Sequence, residues 1–368
     1  MLQRTDVFVI GGGPAGLAAA IAARKKGFQV TVADGAQPSI DKACGEGLMP
    51  DTMAALRELG VRISASEGYA VRGIRFLGAG REVAASFPAG QGIGMRRPAL
   101  HEKLVEAAQA WGVSLLWKTP VQGICAEGVE VGGEVVAAKW IVGADGIRSR
   151  VRRWIGLEAR AGRECRYAFR RHYRVKPWSD FMEIHWGEKA QAYVTPVGEE
   201  EVCVVLISHQ AGMRFVGLEA EFPQLARRLV LAPQASTERG AITMMQQLER
   251  VYRGRVALIG DASGSVDAIT GEGLSLSFRQ ALALAEALDA GDLREYQNAH
   301  RRLARLPTFM GRVMLLLGGR AAVRERTMRA LASDSDVFAR LLAVHVGATS
   351  PAHLATTGAL LGWRLVAA

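Results

Sequence analysis

Residues 6–34, DVFVIGGGPAGLAAAIAARKKGFQVTVAD, decide the fold of the first part of the chain. The apolar run at residues 7–10 predicts a buried parallel strand. The alanine-rich stretch after the glycines predicts a helix, and a second strand ends at Asp34. A strand, a helix and a strand in this order predict a βαβ unit, from which doubly wound α/β domains are built.

The glycines at the first turn indicate what this unit binds. Gly11, Gly13 and Gly16 form a GxGxxG pattern at the strand-to-helix junction. The pattern combines a tight turn at Gly11, room for a pyrophosphate at Gly13 and close helix packing at Gly16. The helix N-terminus offers free amides to phosphate, and Asp34 can accept a hydrogen bond from a ribose hydroxyl. We therefore predict a dinucleotide site rather than a glycine turn without a ligand.

A second domain is indicated by a change of pattern after the middle of the chain. Four strand-like segments, RYAFRRHYRV, FMEIHWG, AQAYVTPVG and EVCVVLIS, follow one another without intervening helices. This pattern predicts a mostly antiparallel sheet over residues 165–245. We assign residues 1–164 and 246–292 to the dinucleotide-binding domain and residues 293–368 to a helical region. The strand pair at residues 71–88 is predicted to be a hairpin inserted into the first domain.

Composition and charge limit the remaining classes. The chain has 368 residues, 49% of them apolar, and a net charge of +10, with no pattern typical of a nucleic-acid module. No secretory signal is visible, and the longest apolar stretches are too short or too interrupted to span a bilayer. We expect a cytoplasmic protein. The four cysteines form no CxxC pair, which argues against a disulfide framework and a thiolate metal site.

Residues 42–50, KACGEGLMP, form a loop with two glycines that free its backbone to approach a ligand closely. Cys44 and Glu46 are the side chains that could touch that ligand. None of the seven histidines lies in this loop, so a metal site is disfavoured. Taken alone, Cys44 is best interpreted as a small buried residue, and Glu46 as a residue that fixes the loop by a hydrogen bond.

Three motifs in order carry a family resemblance. They are GxGxxG near the start, IVGADGIRS at residues 141–149 and ALIGDASGSVDAITGEG at residues 257–273. Together they resemble the FAD-dependent monooxygenase superfamily with the aromatic-hydroxylase fold, whose relatives include geranylgeranyl reductases and flavin-dependent halogenases. The resemblance covers roughly residues 1–290. It implies a Rossmann-like FAD-binding domain, one non-covalent FAD, NAD(P)H as electron donor and a substrate domain built on the antiparallel sheet.

The resemblance also implies roles for particular residues. The loop at residues 42–50 matches the stretch that lies against the isoalloxazine ring. Asp145 matches an aspartate tied to FAD and to the nicotinamide donor, although fixing the loop after its strand is an equally good interpretation. The FAD-binding residues implied are Gly11, Gly13, Pro14, Ala15, Gly16 and Asp34 for the ADP half, Asp261 for the ribityl chain, and Cys44, Glu46, Arg97, Asp145, Gly271 and Gly273 around the flavin.

The reaction type is the least determined part of the prediction. Ala268 stands where the third motif usually has a proline, and residues 51–70 contain no lysine of the kind that halogenases use. The leading interpretation is a monooxygenase that hydroxylates a hydrophobic, aromatic or polyketide-like molecule. The alternative is a reductase that saturates a prenyl or other C=C bond, with Cys44 as a catalytic candidate. A flavin-holding protein without turnover is a third class.

Candidate substrate residues lie on the predicted antiparallel sheet. His185, Tyr193 and Thr195 are on strands expected to face the flavin, where ordinary sheet packing is the alternative interpretation. The segment AYVTPVG lacks both the Trp-x-Trp motif of halogenases and the tryptophan that reductases commonly show there, which disfavours halogenation and is one reason to rank oxygenation above reduction.

The last part of the chain is rich in arginine. Between residues 294 and 329, nine arginines face only Glu295 and Glu325. The default interpretation is a packed helical tail with a solvated arginine face. The alternative is an amphipathic surface for anionic lipid or an acidic partner, which would make the protein peripherally membrane-associated.

Overall fold

The structure is a computed structural model that describes residues 4–158, 160–350, 352, 353 and 358, except for the side chains of residues 160–164. Its elements up to the middle of the chain are β1 Arg4–Ile10, α1 Pro14–Lys25, β2 Val30–Ala33, β3 Gly47–Leu48, α2 Pro50–Leu59, β4 Tyr69–Val71, β5 Gly73–Gly78, β6 Arg81–Ser86, β7 Gly92–Gly94, α3 Arg97–Ala110, β8 Ser114–Leu116, β9 Val121–Ile124, β10 Gly128–Val131, β11 Glu134–Gly143 and α4 Arg150–Trp154. The elements that follow are β12 Arg160–Arg174, β13 Phe181–Trp186, β14 Ala190–Gly198, β15 Glu201–Ser208, α5 Leu218–Glu221, α6 Pro223–Leu229, β16 Arg239–Gln247, β17 Tyr252–Arg253, β18 Val256–Leu258, α7 Gly273–Ala290, α8 Leu293–Gly319, α9 Ala321–Ser333 and α10 Ser335–His345.

The first sheet has the predicted doubly wound character. Its strand order is β17-β18-β11-β1-β2-β8, and the pairs around the central strand β1 are parallel. The hairpin predicted around Gly132 and Gly133 is present as β10–β11, and both glycines have the positive φ that a tight turn requires. Helices α1 and α7 pack together against this sheet. The Rossmann-like domain is therefore confirmed.

The motif glycines of β1–α1 allow an unusually close approach of backbone to backbone. A Cβ built at Gly16 would overlap the carbonyl oxygen of Gly11, so any side chain there would push helix and strand apart. A Cβ built at Gly13 would meet nothing within 4 Å, because this position faces open space. The two glycines thus serve different purposes: Gly16 serves packing and Gly13 leaves room.

The second sheet is mostly antiparallel, as predicted, with the order β16-β12-β15-β14-β13-β5-β6. One detail of the sequence prediction was wrong: the hairpin β5–β6, predicted to be an insert of the first domain, pairs with β13 in this second sheet, where β5 runs parallel to β13 from the Gly73–Phe181 pair onward. The four strand-like segments are β12 to β15, and no helix separates them, as predicted. Two short helices, α5 and α6, follow β15, and their apolar side chains cover one face of the sheet. The predicted domain boundaries remain a prediction.

The helices after α7 close the structure from one side. Near the start of α8, Tyr296 donates to the carbonyl of Leu258, and His300 hydrogen-bonds Ser263 at 2.9 Å. Helices α9 and α10 cover β6, and Phe338 of α10 lies against Phe76 of the neighbouring strand β5 with ring centroids 4.7 Å apart. The predicted helical region is helical as far as α10, and residues 351, 354–357 and 359–368 lie outside the described residues. Within the described part of the chain, no helix is both long and apolar enough to cross a bilayer.

Substituting the two glycines separately tests this division of purposes. We expect Gly16→Ala to lower the free energy of unfolding of the FAD-free protein by about 2 kcal/mol, since overpacking typically costs this much. Gly13 has φ −71°, which alanine adopts readily, and a Cβ at this position would meet open space. We therefore expect Gly13→Ala to lower the free energy of unfolding by less than about 1 kcal/mol. Urea unfolding measures both variants, and equal losses would contradict the assignment.

The buried His300 makes stability depend on pH. Burial lowers the pKa of His300 from 6.5 to about 4. Between these two pH values the unfolded chain binds a proton at this histidine and the folded chain does not. Stability is therefore fully present above pH 6.5 and falls between pH 6.5 and 4, by about 3 kcal/mol. We expect His300→Asn to flatten the dependence of the unfolding free energy on pH over this range, as measured by urea unfolding at several pH values.

Candidate functional site

A cavity of about 600 Å³ lies between the first domain and the second sheet. Its walls include every predicted FAD-binding residue except Gly16, which is buried in the α1 packing. Of the three substrate candidates, Tyr193 and Thr195 line the cavity and His185 does not. The predicted residues in the walls are Gly11, Gly13, Pro14, Ala15, Asp34, Cys44, Glu46, Arg97, Asp145, Tyr193, Thr195, Asp261, Gly271 and Gly273.

The end of the cavity at α1 fits a dinucleotide. Helix α1 begins with Pro14 after Gly13, and no side chain caps its first amides. Asp34 accepts from the N–H groups of Gly12 and Ala36 at 2.6 and 2.7 Å, which holds its carboxylate at the cavity wall. Each carboxylate oxygen keeps a further lone pair for a hydroxyl group. Free amides, an open glycine and a fixed carboxylate match the requirements of a pyrophosphate and a ribose.

Asp145 has a structural use in addition to its place at the cavity. Its carboxylate accepts from the Ser149 hydroxyl at 2.6 Å and from the N–H groups of Arg150 and Val151 at 2.6 and 3.1 Å. These bonds satisfy the first amides of α4 and hold the loop that follows β11. The loop-fixing interpretation therefore has direct support, while Asp145 also lines the cavity.

The third motif forms the opposite wall. Asp261 pairs with Lys42 at 3.0 Å, so a lysine of the 42–50 loop reaches across the cavity. Gly271 has φ +67°, a conformation that favours glycine, and α7 begins two residues later at Gly273. The N-terminus of this long helix supplies positive potential at the wall. A cavity bounded by glycines, helix N-termini and Asp261 has the features that a flavin site requires, and the assignment of these residues to FAD remains a prediction.

Glu272, between these two glycines, is a buried acid that the sequence prediction did not single out. Neither of its carboxylate oxygens has a hydrogen-bond partner within the described structure, and Nδ1 of His345 on α10 lies 3.7 Å from one of them. Burial raises the pKa of Glu272, although His345 opposes the rise.

Cys44 stands in the cavity wall with donors at its sulfur. The N–H of Glu46 lies 3.4 Å from the Sγ atom, and the Arg97 guanidinium nitrogen lies 3.9 Å from it. The side chain is half-buried. Both neighbours are hydrogen-bond donors directed at this sulfur.

Glu46 turns away from the open cavity and binds the second sheet. It has φ +59° and is 2% exposed. One carboxylate oxygen accepts from the Arg97 backbone N–H at 3.0 Å, and the other lies 2.6 Å from Nε2 of His172 on β12. These contacts agree with the loop-fixing interpretation of Glu46. The residue links the loop at residues 42–50, which we call the flavin loop, to the second sheet, which we call the substrate sheet.

The protonation pattern of His172 follows from its neighbours. A guanidinium nitrogen of Arg170 lies 2.9 Å from Nδ1 of His172, and arginine can only donate. Nδ1 is therefore the acceptor, and Nε2 carries the proton donated to Glu46. Arg170 also pairs with Asp41, which keeps its guanidinium fixed. Glu46, His172 and Cys203 together carry atoms of the kind that bind metals. The positive charge of Arg170 beside His172 would repel a metal cation, so we interpret the group as a hydrogen-bonded cluster.

Sequence reasoning missed this cluster, although one signal was available. Alternate residues of β12, namely Arg166, Arg170 and His172, are polar and buried in a strand whose pattern otherwise looks ordinary. Arg166 pairs with both oxygens of buried Asp267, which caps the 3₁₀ turn at residues 268–270. Three buried polar residues on one face of a strand, with only Ala168 between them, indicate a polar contact on that face.

The rest of the substrate-side wall is mostly apolar, with Thr195, Glu183 and Thr243 as polar members. Tyr193 donates from its hydroxyl to the carbonyl of Ile269 at 3.3 Å, and burial raises its pKa. His185 lies on the other face of the sheet, hydrogen-bonded to Glu183 at 3.0 Å and edge-on to Phe222. The apolar residues that line the wall include Ile74, Met182, Ile184, Val205, Ile207 and Ile269. This wall suits a hydrophobic ligand.

A family model described as an FAD binding domain matches residues 4–295. The chain belongs to this family. Its predicted membership of the FAD-dependent monooxygenase-like superfamily is confirmed, and it is an FAD-dependent oxidoreductase by family.

Individual relatives have more than one chemistry. A menaquinone reductase of Mycolicibacterium smegmatis is 28% identical over 328 residues, covering 81% of this chain and 80% of the relative. A digeranylgeranylglycerophospholipid reductase of Methanocella arvoryzae is 28% identical over 305 residues, covering 74% of each chain. The solved structure of p-nitrophenol 4-monooxygenase from Pseudomonas putida has a TM-score of 0.80 at 18% identity, covering 93% of this chain and 97% of that one. The last likeness concerns the fold.

Replacing His172 tests its link to the flavin loop. His172→Phe leaves the buried Glu46 carboxylate with a single donor, so we expect the free energy of unfolding to fall by about 3 kcal/mol. We also expect FAD to bind at least about tenfold more weakly, since a 1.4 kcal/mol loss at the loop is sufficient. Urea unfolding and FAD titration by fluorescence measure the two effects.

The matched control is His185→Phe, which removes a histidine–carboxylate contact on the other face of the same sheet. We expect this variant to keep the FAD affinity of the wild type. If both histidine variants retain that affinity, the flavin loop does not depend on His172.

Proposed function

We propose that this protein is an FAD-dependent reductase that saturates a C=C bond of an isoprenoid lipid. The observation that carries the proposal is Cys44, a thiol in the cavity wall with the Arg97 guanidinium and the Glu46 N–H at its sulfur. The curated relatives named above support it, because menaquinone and digeranylgeranyl lipids share a long unsaturated isoprenoid chain. Sequence reasoning ranked monooxygenation first, and we rank the reductase first because these observations support it.

The proposed reaction adds two hydrogens to the double bond. FAD, when bound and reduced, supplies a hydride to one carbon. The Cys44 thiol gives its proton to the other carbon, and the resulting thiolate is stabilised by the two donors at its sulfur until water restores the proton. One C=C π bond is lost and two C–H bonds form, so electrons and protons balance. NAD(P)H is the proposed reductant for the next turnover.

The remaining walls position the substrate. Apolar side chains of β5, β13 and β15 provide a surface for an isoprenoid chain and exclude water from the reacting carbons. The Tyr193 hydroxyl is engaged with Ile269, so it adds no free polar group to this surface. The Glu46–His172 bond holds the backbone of the Cys44 loop against the sheet that carries this surface.

A monooxygenase acting on a hydrophobic molecule is the second candidate. It is favoured by the segment AYVTPVG, which lacks the tryptophan that reductases commonly show there. The same apolar wall would accept an aromatic or polyketide-like compound. The two candidates differ in whether oxygen is consumed, which makes them separable by experiment.

The decisive experiment is turnover without oxygen. Purified protein with FAD and NADH or NADPH is incubated anaerobically with menaquinone or a digeranylgeranylglycerophospholipid in detergent, and the products are analysed by mass spectrometry. We expect a product that has gained two hydrogens. Cys44→Ala should lower this rate about 10²- to 10⁴-fold, as expected for loss of a general acid, while FAD affinity stays within about threefold. Cys125→Ala is the matched control.

Two results would contradict the proposal. Product that forms only in air and carries label from ¹⁸O₂ would establish the monooxygenase instead. Anaerobic reduction at an undiminished rate in Cys44→Ala would leave the reductase in place but remove Cys44 from the chemistry.

A further inference from the structure

One face of α8 carries alternating cationic and apolar side chains toward solvent. Arg305, Phe309, Arg312, Leu316 and Arg320 follow one another at spacings of three and four residues, which places them on the same side of the helix and of the residue that ends it. All five are exposed, Phe309 by 51% and Leu316 by 45%. We call these five residues the α8 outer stripe.

The inner side of α8 packs against the rest of the protein, which accounts for the position of the helix. This packing does not account for the apolar residues of the exposed stripe. Pro307, Gly311 and Met314 are buried on the inner side. A Cβ built at Gly311 would lie 3.6 Å from the side chain of Thr270, which is itself part of the cavity wall. The inner side of α8 therefore backs the flavin cavity. Burial of that side does not require two large apolar residues on the outer one.

The charge of the stripe is not balanced locally. Glu295 is the only acidic residue of α8 and lies in its first turn. The guanidinium groups of Arg305, Arg312 and Arg320 have no ion-pair or hydrogen-bond partner within the described residues. The chain as a whole carries +10. The stripe thus presents unpaired cations and two apolar side chains on a positively charged protein, which is the pattern of a surface for anionic lipid.

We propose that the α8 outer stripe docks the protein on an anionic lipid bilayer. The arginines would meet the phosphate and acidic headgroups, and Phe309 and Leu316 would enter between them. A protein partner fits less well, because a stable interface buries about 800 Å² on each side and the stripe offers only two large apolar residues. The proposal gives the reason for a lipid substrate under the proposed function, since docking would bring the cavity wall behind α8 to the membrane.

The test uses the full FAD-loaded protein and vesicles in a sedimentation assay. Vesicles of phosphatidylcholine alone are compared with vesicles that contain 30% phosphatidylglycerol, a composition chosen for its negative surface potential. We expect binding to the anionic vesicles at low salt and its loss in 1 M salt, where charges are screened beyond about 3 Å. Negligible binding to both vesicles at low salt would overturn the proposal.

Paired variants assign any binding to the stripe. Arg305→Gln with Arg312→Gln should weaken binding about 30-fold, since each arginine near an anionic surface contributes roughly a fivefold factor. Phe309→Ser with Leu316→Ser should weaken it as well. The control, Arg57→Gln with Arg62→Gln, removes the same charge from exposed positions around α2 and should leave binding unchanged. An equal loss in both arginine pairs would overturn the assignment to α8.

The outcomes remain separate from those of the proposed function. If the protein reduces a detergent-solubilised substrate but does not bind vesicles, the docking proposal is contradicted and the proposed enzyme activity is supported. If the protein binds vesicles through the stripe but reduces no alkene, the docking proposal is supported and the proposed function is contradicted. A dimer that forms through the stripe, with loss of vesicle binding on dimerisation, would show that a second copy is the occupant and would overturn the lipid proposal.

Discussion

The hydrogen bond between Glu46 and His172 joins the two halves of the candidate site. Its atoms are 2.6 Å apart and both side chains are fully buried. Glu46 belongs to the loop that places Cys44 in the cavity wall, and His172 belongs to the central part of the substrate sheet. Breaking a buried contact of this kind strands a charge in a medium of low dielectric, which is costly. The relative position of flavin loop and substrate wall therefore depends on this bond.

That bond in turn depends on a chain of donors with a fixed direction. Arg170 can only donate, which makes Nδ1 of His172 an acceptor and leaves Nε2 to donate to Glu46. Asp41 holds Arg170 from the other side. The contacts run in sequence from Asp41 through Arg170 and His172 to Glu46, so each member restricts the orientation of the next. The pair between Arg166 and Asp267 connects β12 to the third motif. Strand β12 therefore contacts both the wall formed by the 42–50 loop and the wall formed by the third motif.

Much of this arrangement could be predicted from local sequence, because the chemistry of the nucleotide end is local. The glycine motif, Asp34 and the third motif each act through backbone geometry within a few residues, so their placement followed from pattern alone. The hairpin at residues 71–88 was misassigned because alternation predicts a strand pair but not the sheet that it joins. His172 and Arg170 were missed because their partners are distant in sequence, and His185 lies on the face of β13 opposite to the one expected. Strand alternation leaves the choice of face open.

The parallel pairing of β5 with β13 has a consequence for how the chain folds. Residues 73–78 bond to residues 181–186, so the second sheet receives strands from two separated parts of the chain. During synthesis, the hairpin must wait for about a hundred further residues before its partner strand exists, which is the kind of non-local contact that slows folding. A fragment limited to residues 165–245 would leave β13 with a bare edge and a tendency to aggregate. The substrate sheet is therefore a product of the whole chain and cannot be separated from the flavin domain as an independent unit.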